Sequence, residues 1–339
     1  MCLCNRLHRR EKGAMSRLTI KEIAELAGVN KATVSRVLNG NANISEKTRQ
    51  KIMDIVREHN YVPNATARAL ASNRTYTVGF CFDYTNRQAY ANPFFSEVLQ
   101  GIEEVIYAND YLFLMMSVHD IDQSETTTFQ KIVREHRVDG VLIPESLLTD
   151  EHYRFLQEYQ MPFVVLGEPS VPREGVRWVD VDNAQAAEML TERLIRRGCK
   201  DIRMMGSADQ ANRDIYVENR MRGFRDAMER NGLTPRTVEP AQWEDEHGSF
   251  SSEQGVPDAL IVASQGKLYE WLEIPKKDEA IKIPVASFDD HPLYRHLPTP
   301  VESIQLQLDV MGTEAARLLL QVIDGSPDAP PHVNVRVQH

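Results

Sequence analysis

No run of eighteen or more apolar residues occurs in this sequence, so a transmembrane helix is not expected. The opening stretch, MCLCNRLHRREKGA, is basic but has no apolar segment behind it, which argues against a secretory signal. Cysteine is scarce: Cys2, Cys4, Cys81 and Cys199 form no regular framework, as suits a reducing compartment. No second Cys or His pair stands at zinc spacing from Cys2 and Cys4, so residues 1–15 read as a disordered extension ahead of a second possible start at Met15. Neither a P-loop nor a nucleophile elbow is present. A cytoplasmic protein with no metal and no cofactor is therefore expected.

What is present is an ordinary globular composition with an uneven charge. At 339 residues, 42% hydrophobic and 26% charged, the chain is long enough for two or three compact units. Up to residue 75 there are 14 Lys and Arg against 6 Asp and Glu; the remainder has 25 against 43. A small head of charge +8 thus precedes a body of charge −18. The head suits a polyanion, through counterion release, whereas the body would repel a phosphate backbone.

Within the head, LTIKEIAELAGVNKATVSRVLNG places Ile20, Ile23, Ala24 and Ala27 at helical spacing, with Gly28 as a C-cap. Asn30 can cap a second helix that carries Val34, Val37 and Leu38. Two short helices meeting at a tight turn form a helix-turn-helix, whose second helix enters the major groove. A third helix follows in SEKTRQKIMDIVREHN, with Ser45 as a plain N-cap. On the second helix, Lys31, Ala32, Thr33, Ser35 and Arg36 face away from the apolar stripe.

TIKEIAELAGVNKATVSRVLNG, TRQKIMDIVREHNYVPN and ARAL closely resemble the DNA-binding head of the LacI/GalR family of bacterial transcriptional regulators. The resemblance implies that Lys31, Ala32 and Arg36 take base-reading places, and that Thr19, Thr33, Ser35 and Asn39 lie near phosphates. Ala32 departs from a hydrogen-bonding residue but can offer its methyl group to a thymine methyl. A three-helix bundle used for protein contact is the plainer alternative.

From Tyr76 the pattern changes to short apolar strands and amphipathic helices. TVGFCF, YLFLMM, GVLIP and FVVLG read as strands, with helices beginning near Pro93, Ser124 and Asp150. A second series begins with VRWVDV and continues through IRMMG, ALIVAS and PVASF. The expected fold is an all-α helix-turn-helix head joined to a two-lobed, doubly wound α/β body with parallel sheets and an interlobe cleft. The resemblance extends to this body, which is similar to a periplasmic sugar-binding protein. Domain boundaries follow: head 16–62, hinge 63–75, and an effector-binding and dimerisation domain over 76–339. The first lobe takes about 76–176 with 305–325, and the second about 177–304 with 326–339.

By the same resemblance, Arg220 and Asp289 match cleft residues that serve sugar hydroxyls. Trp243 matches a stacking aromatic, and Phe94 or Phe95 the opposing wall. Each has a plainer role: the aromatics as core, Arg220 and Asp289 as an ion pair at a strand end. The sequence departs from the family after ALIVAS, where an Asn-Asp pair gives way to Ser264 and Gln265, and at Gly167 and Glu168. The stretch EDEHGSFSSEQG lacks helical periodicity. IPESLLTDEHYRFLQ and PFVVLGEP look most like regulators of maltose or α-glucoside use.

The leading expectation is a homodimeric repressor, cytoplasmic and nucleoid-associated, that binds a palindromic operator. A small carbohydrate or sugar-phosphate effector switches it. The altered Ser264 and Gln265 motivate an alternative, a body that has lost sugar binding and answers to a protein co-regulator. An enzyme built on Asp289, Asp290 and His291 is the remote third option, because neighbours on a turn point in different directions.

The stretch NATARALASNRT, residues 64–75, is rich in helix formers, yet Leu70 is its one large aliphatic side chain. A helix shorter than about twelve residues is marginal alone. In the resembling family two such hinges pair in the minor groove, which implies DNA contact for Asn64, Ala67 and Leu70, with Leu70 wedged into a base step. A simple linker is the alternative. Leu70→Ala is expected to weaken operator binding with ligand affinity nearly intact; unchanged operator affinity in a gel-shift titration would refute the wedge.

Overall fold

Thr19 starts the head, in the computed structural model, by closing a capping box. Its N–H donates to Glu22 Oε2 at 2.8 Å, and the Glu22 N–H returns to Thr19 Oγ1. Residues 18–38, 44–61, 72, 74–84, 93–118, 127–206, 214–239, 255–273, 283–288, 290–297 and 301–338 are described. The chain divides into two compact units, 1–75 and 76–339.

In the first unit, α1 (Ile20–Ala27) ends at Gly28, whose left-handed backbone returns its N–H to the last turn. Asn30 opens α2 (Lys31–Leu38), its Oδ1 accepting from the Thr33 N–H at 2.7 Å and the Thr33 hydroxyl at 2.8 Å. Ser45 caps α3 (Glu46–Glu58) by accepting from the Thr48 N–H. Ile23, Ala24, Ala27, Val34, Val37 and Ile52 bury together where the three helices meet. The core is small, so the caps matter: each contributes about 1 kcal/mol.

The second unit is built on two parallel sheets. Central strands such as GVLIP, FVVL and ALIV are short and apolar on both faces, the pattern a sheet covered by helices requires. In chain order come β1 (Thr77–Phe82), α4 (Pro93–Ala108), β2 (Leu112–Ser117), α5 (Thr128–Arg134), β3 (Gly140–Pro144), α6 (Asp150–Glu158), β4 (Phe163–Leu166) and β5 (Trp178–Val181). They are followed by α7 (Asn183–Arg196), β6 (Ile202–Met205), α8 (Ile215–Arg230), β7 (Arg236–Val238), β8 (Ala259–Val262) and α9 (Gln265–Glu273). The last elements are β9 (Val285–Ser287), β10 (Val301–Ser303), α10 (Leu308–Ile323) and β11 (His332–Val335). One sheet has the order β11-β5-β4-β3-β1-β2 and the other β10-β9-β8-β6-β7.

This order corrects the expected lobe boundaries. VRWVDV does not begin the second lobe: β5 pairs with β4, Val165 opposite Trp178, and β11 pairs with β5, His332 opposite Trp178. Both strands therefore belong to the first sheet. An apolar parallel strand reads alike whichever sheet it joins, and HVNV in β11 is too short and too exposed to declare its partner. The helix expected near Ser124 starts at Thr128, capped by Thr127.

The chain passes between lobes three times. It leaves the first sheet at Asp182, where α7 begins and packs on α8; it returns through 304–307, where α10 begins and packs on α4. It leaves again after β11, where the Val337 N–H donates to Gln185 Oε1 of α7. The first and third passages are joined by a hydrogen bond from the Asp182 N–H to the Val335 carbonyl at 2.8 Å. A single apolar core runs through this junction, from Phe80 and Ile102 to Met204 and Phe224.

Helices α4 and α10 meet backbone to backbone. A Cβ at Gly101 would lie 1.8 Å from the Asp309 carbonyl oxygen, and one at Gly312 would lie 2.1 Å from that of Val98. No methyl fits without separating the helices. Gly312→Ala is expected to destabilise the body by about 2–3 kcal/mol, read as a lowered urea midpoint; a midpoint matching the wild type would mean that the crossing relaxes freely.

Candidate functional site

Helix α2 buries Val34 and Val37 and so turns its other face outward. Lys31, Ala32 and Arg36 are exposed on that face, with Thr33 and Ser35 half-buried beside them. Thr33 already spends its N–H and hydroxyl on Asn30, and Thr19 its hydroxyl on Glu22. Both residues therefore shape helix ends as well as lying near any surface that docks there. Asn39, Asn64, Ala67 and Leu70 lie outside the described residues, as do Trp243 and Asp289.

Between the lobes of the second unit lies a cleft of about 720 Å³. Much of its wall comes from segments that leave the carboxyl ends of parallel strands, where loops are free to carry polar groups. Asp83 follows β1, Glu145 follows β3, Gly167 and Glu168 follow β4, and Asp180 is the last residue but one of β5. From the other lobe come Tyr216 and Arg220 on α8, and Ser264 and Gln265 where α9 begins. Phe94 and Phe95, at the start of α4, both line the cleft; Phe95 packs on Phe82 with ring centroids 4.3 Å apart. Of the expected effector residues, Phe94, Phe95, Arg220 and Ser264 thus share one cavity.

Arg220 is 5% exposed and heavily engaged. Its Nε donates to Asn183 Oδ1 at 2.9 Å and its Nη1 to the Ala263 carbonyl at 2.8 Å. Its guanidinium lies 4.2 Å from the Phe288 ring centroid and 4.8 Å from that of Tyr216. Its place depends on α8 approaching α7 closely: a Cβ at Gly223 would fall 2.0 Å from the Ala184 carbonyl oxygen. Ser264 Oγ accepts from the Lys267 N–H and so steadies the first turn of α9.

Sequence reasoning missed the partners of Arg220. Asn183 Nδ2 donates to both oxygens of Asp180 at 3.3 Å, and Asp180 also accepts from the Val181 and Glu168 N–H groups at 2.7 and 3.1 Å. Asn219 Nδ2 donates across the cleft to Glu168 Oε2 at 2.7 Å. The available signal was a carboxylate inside the otherwise apolar strand WVDV, since a charge in a buried strand needs a partner. Elsewhere, Asp290 accepts from the Ser303 hydroxyl at 2.9 Å and His291 packs against the Tyr294 ring. No group of three or more potential metal ligands occurs among the described residues, and no described helix is long and apolar enough to cross a membrane.

Burial pushes the Asp180 carboxyl up to about 6, against the Glu168 and Val181 N–H groups and the Arg220 charge, which favour its ionised form. The folded chain then keeps a proton that the unfolded chain releases, so this carboxyl favours folding in acid. That contribution is lost as pH rises from 3.8 to about 6. Compared with Asp180→Asn, which does not titrate, the wild type should lose about 1 kcal/mol of relative stability between pH 5 and 7. Paired urea titrations measure this, and a difference constant with pH would contradict it.

Family models match along most of the chain. "Bacterial regulatory proteins, lacI family" covers residues 19–64, and "Periplasmic binding proteins and sugar binding domain of LacI family" covers 77–245. "Periplasmic binding protein-like domain" covers 191–338. The HTH-type transcriptional regulator CelR of Thermobifida fusca is 28% identical over 331 residues, 93% of this chain and 94% of its own. The HTH-type transcriptional regulator MalR of Streptococcus pneumoniae is 29% identical over 313 residues, 90% and 92% of the two chains. Among solved structures, a transcriptional regulator CelR–cellobiose complex superposes with a TM-score of 0.61 at 26% identity, covering 95% of this chain and 98% of that one. A lac repressor dimer bound to operator and an anti-inducer shares the fold, with a TM-score of 0.63 at 20% identity, covering 95% and 97%. With both its head and its body matched in the same order, the chain belongs to the LacI family of bacterial transcriptional regulators.

Proposed function

We propose that this regulator works as a homodimeric repressor whose affinity for a palindromic operator is set by a small carbohydrate in the interlobe cleft. The observation that carries the proposal is the composition of that cleft. Aromatic rings at Phe94, Phe95 and Tyr216 face the same cavity as the carboxylates and amides that can hold hydroxyl groups. The complex of the relative CelR with cellobiose supports a sugar as the ligand class.

On the DNA side, Lys31, Ala32 and Arg36 would read base edges from α2. Thr19, Thr33, Ser35 and Asn39 would position the head on phosphates, and Asn64, Ala67 and Leu70 would meet the minor groove. One such head makes few base contacts, and a dimer reads two half-sites. In the body, Arg220 and Asp289 would serve sugar hydroxyls, Ser264 would border them, and Trp243 would stack on the sugar face.

Fluorescence anisotropy with the full chain on a palindromic fragment tests this. Two chains per fragment are expected. Arg36→Ala should weaken binding about 10- to 100-fold, the worth of a lost base contact. A neutral sugar added to the wild type should change the affinity. Arg36→Ala binding as well as the wild type, or one chain saturating the palindrome, would overturn the proposal.

A further inference from the structure

Five carboxylates line the described part of the cleft: Asp83, Glu145, Glu168, Asp180 and Asp214. Arg220 is the one cationic side chain among the described lining residues, and two of its nitrogens are committed to Asn183 and Ala263. Four of the five carboxylates belong to the first lobe, each near the carboxyl end of a strand, so they form a wall rather than a scattered set. Burial raises the Asp180 carboxyl within that wall; on the facing lobe burial raises that of Asp214, and the nearby Glu145 charge adds to the effect there.

A second observation comes from Gln265. It is 8% exposed, lines the cavity at the first turn of α9, and its Nε2 is buried with no acceptor among the described residues. A buried donor left unmade is costly, and a turn of the amide toward the cavity would let a ligand oxygen relieve it. The described part of the cleft therefore offers a set of carboxylate oxygens, some of them already accepting from Ser170 and Asn219, one amide donor with no acceptor, and one cation, Arg220, that is already engaged.

We infer that the cleft selects an uncharged, hydroxyl-rich sugar and rejects the phosphorylated form of the same sugar, with Gln265 donating to a hydroxyl or ring oxygen of the bound ligand. This rests on the carbohydrate reading above and narrows it, since the sequence left sugar and sugar phosphate open. A phosphate brought into the cavity would face the carboxylate wall at close range, where water screens poorly, and like charges set together in this way act as a device for exclusion.

The test uses the full chain at pH 7.5 and fixed ionic strength, with thermal shift followed by isothermal titration. The probes are neutral mono- and disaccharides, cellobiose and maltose among them, each paired with its 6-phosphate. At least one neutral sugar is expected to bind, and its phosphate to bind at least 100-fold more weakly. Glu145→Gln should narrow that ratio about tenfold. Gln265→Met should weaken the neutral sugar about tenfold while leaving the unliganded melting temperature unchanged or raised, whereas a merely structural glutamine would lower it. A phosphate binding as tightly as its neutral parent, or a ratio unmoved by Glu145→Gln, overturns the inference and leaves the carbohydrate reading standing. Binding undiminished in Gln265→Met removes the amide from it. Silence from every sugar overturns the carbohydrate reading and the inference together.

Discussion

The hydrogen-bonded series from Asp180 through Asn183 to Arg220, ending on the Ala263 carbonyl, crosses the floor of the cleft. It begins on the last strand to enter the first sheet from the N-terminal side and finishes beside the strand β8 of the second sheet. A guanidinium this deeply buried must have its donors met, so the positions of α7 and α8 are tied to both sheets at once. The aromatic faces of Phe288 and Tyr216 fix the plane of the guanidinium, and the close approach at Gly223 lets α8 come near enough to place it. Remove this series and both walls of the cavity lose their register.

The two units divide their electrostatic work. The head carries the positive excess and the body the negative, and the chain sum of −10 conceals both. In the body, the acidic excess is not confined to solvated surfaces, because part of it lines the cleft. The same sign that discourages the body from lying along a nucleic-acid backbone thus also shapes what small molecule can enter between the lobes. Two demands with different ranges, one long and screened by salt, one short and local, are met by a single compositional bias.

The head was readable almost residue by residue. Helical spacing located its buried side, Gly28 and Asn30 located its turn, and Ser45 its third helix, because each feature depends on neighbours three or four positions away. The capping box at Thr19 and Glu22 was equally local and was overlooked. The body was readable as alternating strands and helices but not as a connectivity: nothing within VRWVDV or HVNV says which sheet will accept it. The same reason hid Asp180, Asn183 and Asn219, whose partners lie in distant segments brought together by sheet order. Resemblance supplied Arg220, Phe94, Phe95 and Ser264, which the structure gathers at one cavity, and marked Gln265 only as a departure; it did not supply Glu145. Trp243, Asp289 and the hinge residues Asn64, Ala67 and Leu70 lie outside the described residues.

The three passages between lobes set how the body can deform. Two lobes on one tether could twist, slide and separate independently; three tethers, two of them bonded to each other through Asp182 and Val335, restrict each of those motions more than one would. A ligand that held both walls, as in the proposed function, would then act on a small set of relative motions rather than on many.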